Sequence, residues 1–153
     1  MNNIIIRKIA DKEVPAVVDI WYKASLQAHE FIPSEYWSSN KAQMRKKFIP
    51  MSETYVATNG LQILGFISLI EEYLAAIFVK PEFQGLGIGS SLMSHAKSYR
   101  NDLQLKVFCK NRKSVDFYLS KGFTIISESK DVETGEKEFI MQWHKCDQPQ
   151  QQT

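Results

Sequence analysis

Ile77-Phe78-Val79-Lys80-Pro81-Glu82-Phe83-Gln84-Gly85-Leu86-Gly87-Ile88-Gly89 is the stretch that decides how the chain reads. An apolar strand enters it and Pro81 stops that strand. Three alternate glycines follow, and a helical pattern leaves after Gly89 with Leu92, Met93, Ala96 and Tyr99 on one side. Alternate glycines let the backbone curl so that successive N–H groups point inward. The helix start adds roughly half a positive charge. Together they make a seat for an anion such as a pyrophosphate. Two competing motifs fail. A P-loop requires a lysine that is missing here. A dinucleotide fingerprint requires glycine at its sixth position, where counting from Gly85 gives Ser90 and from Gly87 gives Leu92. Taken alone, the turn is also compatible with a tight strand-to-helix connection that binds nothing.

Outward from the turn, the pattern is regular. Upstream lie a strand from Ile4 to Ile9, a helix carrying Val14, Val17, Val18, Trp21 and Ala24, a break around His29 to Pro33, and a second helix from Ser34 to about Phe48. Strands follow at Thr54 to Thr58 and Ile63 to Ile70, joined by Asn59-Gly60, a strong hairpin signal. Tyr73 to Val79 is nearly all apolar, as befits a strand covered on both faces. Downstream come a strand from Leu103 to Cys109, a short helix opened by Asn111 or Ser114, Gly122 at its end, and an antiparallel pair, Thr124 to Ser129 with Glu138 to Trp143. The order β-α-α-β-β-β-α-β-α-β-β predicts a mixed α/β sheet flanked by helices.

The 153 residues suffice for one domain with one core. A net charge of +2 is too small to argue for nucleic acid. Cys109 and Cys146 form no close pair and no metal pattern with the three histidines, so free thiols and no metal are expected. The first residues do not read as a signal peptide, and no run approaches the roughly 20 apolar residues of a membrane span. A cytoplasmic protein without a membrane partner is expected. The domain is expected over residues 4–144, and the Gln-rich tail, 147–153, is expected to be disordered.

Two motifs together resemble the GNAT acetyltransferases. Gln84-x-x-Gly87-x-Gly89 is similar to that family's Gln/Arg-x-x-Gly-x-Gly/Ala. Asn111-Arg112-Lys113-Ser114-Val115-Asp116-Phe117-Tyr118, followed by Gly122-Phe123, resembles its Asn-x-x-Ala-x-x-Phe-Tyr-x-x-x-Gly-Phe, with Ser114 where Ala is common. The segments Trp21 to Trp37 and Phe66 to Val79 look closest to a bacterial branch of protein acetyltransferases. The resemblance implies a mixed, mostly antiparallel sheet whose central parallel strands, Tyr73–Val79 and Leu103–Cys109, splay apart to admit acetyl-CoA. It implies pyrophosphate contacts from Gln84, Gly85, Leu86, Gly87, Ile88, Gly89 and Ser90, and pantetheine contacts from Phe78, Val79 and Asn111. It places Tyr118 near the sulfur.

The implied reaction moves an acetyl group from acetyl-CoA to a primary amine. It must take a proton from the ammonium, stabilise an oxyanion and stabilise the leaving thiolate. A backbone N–H of the Tyr73–Val79 strand suits the oxyanion. Tyr118 suits the thiolate as a hydrogen-bond donor, because full transfer from a phenol near 10 to a thiol near 8.5 runs uphill by about 2 kcal/mol. Glu71 and Glu72 are candidates for the base, with Tyr73 beside them. His29, Glu30 and Tyr36 are candidates to line the acceptor groove. At pH 7 a lysine amine is neutral about once in 2,500 molecules and an α-amine about a tenth of the time. The resemblance favours a protein lysine, and the lack of a clear base favours an α-amine, so both stay open. Small amines or amino acids as acceptors, or a non-catalytic acetyl-CoA-binding module, are the alternatives. Lys41, Arg45, Lys46 and Lys47 with Lys110, Arg112 and Lys113 would suit an RNA-borne acceptor, but such runs are usually solvated helix faces, and nucleic acid is not expected. Monomer and homodimer are both compatible with the sequence.

Overall fold

A computed structural model describes residues 3–145. Met1, Asn2, Cys146 and the expected disordered tail lie outside the described residues. The strands are β1 (Ile5–Lys8), β2 (Glu53–Thr58), β3 (Ile63–Ile70), β4 (Tyr73–Val79), β5 (Asp102–Phe108), β6 (Thr124–Lys130) and β7 (Lys137–His144). The helices are α1 (Val14–Ala28), α2 (Ser34–Ser39), α3 (Lys41–Gln43), α4 (Ile49–Met51), α5 (Ile88–Lys97) and α6 (Arg112–Ser120). The seven strands form one sheet in the order β1-β2-β3-β4-β5-β7-β6. All neighbours run antiparallel except β4 and β5.

Period-two alternation decides which face each strand side chain takes. Leu103, Leu105 and Val107 of β5 and Met141 of β7 join Leu92, Met93, Val115 and Phe123 in the core under α5 and α6. Val56 and Phe66 face the other way and pack with Val17, Ile20, Trp21 and Trp37 under α1 and α2. No helix among the described residues is long and apolar enough to cross a membrane.

The parallel pair positions the site. β4 and β5 meet in register only at Tyr73 and Gln104, where the Gln104 N–H donates to the Glu72 carbonyl at 2.9 Å. Beyond that bridge they diverge, leaving a wedge open toward Val79 and Phe108.

One element differs from its sequence pattern. The expected single helix from Ser34 to Phe48 is interrupted at Asn40, then continues through α3, a π-helical turn (Met44–Phe48) and α4. The Asn40 amide donates to the Tyr36 carbonyl at 2.6 Å, and the Ser39 hydroxyl donates to it at 3.1 Å, so polar side chains end α2 locally. Pro50 continues the run in the first turn of α4, where its missing N–H costs little.

Candidate active site

At the open end of the wedge lies a cleft of about 790 Å³. Phe78, Val79, Gln84, Gly85, Gly87, Ile88, Gly89, Ser90, Asn111 and Tyr118 line it, so almost the whole expected donor set comes together. Leu86 is the exception, with its side chain 69% exposed outside the cleft. Ala24, Gln27 and Ala28 of α1 form the far wall.

The glycine turn works through its backbone. Gly85 and Gly87 adopt φ of +81° and +87°, a region side-chain-bearing residues enter at a cost. Gly87 caps α5 without a side chain, and the first helical hydrogen bond runs from the Ser91 N–H to the Gly87 carbonyl. The N–H groups of Ile88, Gly89 and Ser90 therefore have no helical acceptor. The Gln84 amide donates to the Val79 carbonyl at 3.0 Å and ties the turn to the end of β4. The Phe117 ring of α6 lies 3.5 Å from where a Cβ on Gly89 would stand, an ordinary contact distance, so α6 packs directly beside the turn. Lys110, Arg112 and Lys113 line the same cleft and supply positive charge beside these N–H groups. Lys41 and Arg45, grouped with them in the sequence reading, border a different surface hollow with Pro15 and Asp19.

Asn111 caps α6, its Oδ1 accepting the Ser114 N–H at 3.3 Å, and is 8% exposed. Tyr118 is nearly buried, edge-on to Phe117 and Phe123. Burial, with a contribution from Tyr73, pushes its phenol well above the usual range. It therefore stays protonated and able to donate a hydrogen bond.

The acceptor candidates scatter. Glu71 and Glu72 are exposed in the turn before β4, at the paired end of the wedge and outside the cleft. The length of β4, about 20 Å at the usual rise, separates that end from Val79. Their main chain closes the wedge instead: Arg100 Nε donates to the Glu71 carbonyl at 2.8 Å, and Glu72 accepts from Gln104. Tyr73 is 36% exposed on the α1 face, its phenol raised by burial and by the Glu138 carboxylate. Tyr36 is half-buried and donates to Glu133 Oε1 at 3.0 Å. Glu30 is exposed. His29 is buried, stacked on Trp37 at 5.0 Å and edge-on to Phe31 and Phe108, with Nε2 3.1 Å from the Asn111 amide.

Sequence reasoning passed over Glu138. It stands on β7 opposite Phe108, is 8% exposed, and, like Glu71 and Glu72, is not among the residues that line the cleft. Phe139, Met141 and Trp143 pack into the core under α5 and α6, so alternation turns Glu138 to the α1 face, together with Tyr73. Burial and Asp131 raise its carboxyl, and Lys106 partly offsets them. The alternation in Lys137-Glu138-Phe139-Ile140-Met141 was the available signal. Among the described residues, no group of three His, Cys, Asp or Glu side chains is placed to hold a metal ion.

Comparison with known proteins agrees with this geometry. Residues 22–145 match the model of the acetyltransferase (GNAT) domain. The chain is 31% identical over 140 residues to the peptidyl-lysine N-acetyltransferase YiaC of Escherichia coli, covering 91% of this chain and 96% of YiaC. The solution structure of apo-form YjaB from Escherichia coli superposes with a TM-score of 0.82 at 26% identity, over 94% of this chain and 99% of that one. A PaiA N-acetyltransferase from Thermoplasma acidophilum, solved with coenzyme A, shares the fold with a TM-score of 0.78 at 21% identity, over 93% and 99%.

Proposed function

The chain belongs to the GNAT acetyltransferase family and is an acetyl-CoA-dependent N-acetyltransferase, and from that premise we propose that its acceptor is the side-chain amine of a protein lysine. The observation that carries this reading is Glu138, a buried carboxylate of raised pKa on the sheet face shared with Tyr73. A lysine ammonium holds its proton tightly and needs a base that a readily deprotonated α-amine could do without. The name of YiaC, a peptidyl-lysine acetyltransferase, supports the same choice.

The residues divide the work as follows. Acetyl-CoA supplies the acetyl thioester. The N–H groups of residues 88–90, with Lys110, Arg112 and Lys113, hold its phosphates. Val79, Phe78 and Asn111 hold the pantetheine arm. N–H groups of β4 on the side where β5 has diverged are free to steady the developing oxyanion. Tyr118 donates a hydrogen bond to the departing sulfur. Glu138 takes the ammonium proton, in place of Glu71 and Glu72, whose carboxylates are exposed at the closed end.

The test is a pair of peptides. One carries a single lysine and a blocked N-terminus; the other is lysine-free with a free N-terminus. Mass spectrometry after incubation with acetyl-CoA should show acetylation of the lysine peptide first. Modification confined to the free N-terminus would contradict the lysine assignment.

A further inference from the structure

His29 looks, by its place in the loop after α1, like an acceptor-side residue. Its hydrogen bond points the other way. Asn111 has a carboxamide with distinct ends, and the cap of α6 fixes which is which: Oδ1 accepts the Ser114 N–H. The end 3.1 Å from His29 Nε2 is then Nδ2, which can only donate. Nε2 must therefore accept, and the imidazole must be neutral with its proton on Nδ1. Burial agrees, pulling the imidazole down to about 4. Nδ1 is buried without a hydrogen-bond partner among the described residues, and the Ser25 backbone opposes part of the downward shift.

The ring is held against rotation. Trp37 stacks on it, and Phe31 and Phe108 meet it edge-on at 5.8 Å and 5.3 Å. The Ile32 N–H donates to the His29 carbonyl and fixes the loop below it. The groups packed on the ring are aromatic or amide.

We propose that His29 is the positioning residue of the donor site: its Nε2 accepts from Asn111 and holds that amide in the orientation that receives the pantetheine arm. This rests on the assignment of Asn111 to acetyl-CoA made above, and it does not depend on which amine is the acceptor. Two of the Asn111 amide positions are used by Ser114 and His29, leaving one N–H and one oxygen lone pair for a ligand. Without an acceptor at position 29, a nearly buried donor is stranded and the amide turns to satisfy it. The acceptor-side loop thus sets the geometry of a donor-side residue.

Two variants separate this role from packing. His29→Phe keeps the aromatic stack and removes the acceptor. His29→Gln gives up the ring and returns an oxygen that can accept. Calorimetric titration should show the acetyl-CoA Kd of His29→Phe raised roughly tenfold, the loss expected for one such hydrogen bond. The KM for acetyl-CoA should rise with it, the KM for the acceptor should hold, and His29→Gln should recover most of the loss. Equal affinity in a folded His29→Phe variant, or a KM change confined to the acceptor, overturns the proposal. Imidazole nitrogen chemical shifts of the wild-type protein test it without any substitution: the proton should lie on Nδ1, and a proton on Nε2 overturns it. Failure of the lysine peptide to react would leave the calorimetric and chemical-shift readouts intact.

Discussion

The two halves of the site are built in different ways. The donor half uses two short continuous segments, residues 84–90 and 111–118, and much of its chemistry is main chain: two glycines at positive φ, a helix start without a side-chain cap, and an asparagine capping the next helix. The proposed acceptor half draws on single side chains from separate elements, Tyr73 on β4 and Glu138 on β7, which only the sheet places on one face. A backbone site keeps its ligand class wherever its local motif survives. A side-chain site changes its ligand when one strand residue changes.

The largest expected effect on turnover probes the donor half. Tyr118→Phe should lower kcat by about a hundredfold while acetyl-CoA affinity stays within about threefold, because the lost hydrogen bond matters only as the sulfur leaves. If binding falls as far as kcat, Tyr118 is packing and the division between holding and reacting is wrong.

A smaller effect probes the acceptor half. Glu138→Gln should lower kcat/KM for a lysine peptide on the order of tenfold at pH 7, with acetyl-CoA binding unchanged. The sign of its pH dependence follows from the environment. Burial and Asp131 raise the Glu138 carboxyl, Lys106 opposes them, and the Tyr73 and Tyr36 phenols feel its charge. The wild-type rate should therefore fall as pH drops through a value above the ordinary carboxylate range, and the Gln variant should lack that limb. An identical acid limb in both proteins would remove Glu138 as the base.

The same contrast explains what the sequence could reveal. Residues 84–89 and 111–123 are legible because neighbouring residues do the work together, so spacing carries the chemistry. The apolar run of β4 and the Asn59-Gly60 hairpin are legible for the same local reason. The break at Asn40 was not, since helical periodicity does not register that its amide captures the Tyr36 carbonyl. The distance between Glu71 and the cleft was not, because it depends on which end of β4 pairs with β5. Glu138 lies 20 residues beyond Tyr118 in the chain, and only the register of β7 against β5 brings it opposite Phe108. His29 was singled out for the acceptor groove, and only the folded chain sets it 3.1 Å from Asn111.

Everything proposed for the donor half depends on the glycine turn seating the phosphates of acetyl-CoA. That seating is tested most directly by titrating acetyl-CoA into the wild type, Gly87→Ala and Gly87→Glu in a calorimeter. A Cβ at Gly87 meets nothing within 4 Å, so Gly87→Ala carries only the strain of its positive φ. Binding should be tight in the wild type, modestly weaker in Gly87→Ala, and weaker by about a hundredfold or more in Gly87→Glu, where a carboxylate meets the phosphates. Equal affinity in all three proteins would contradict it.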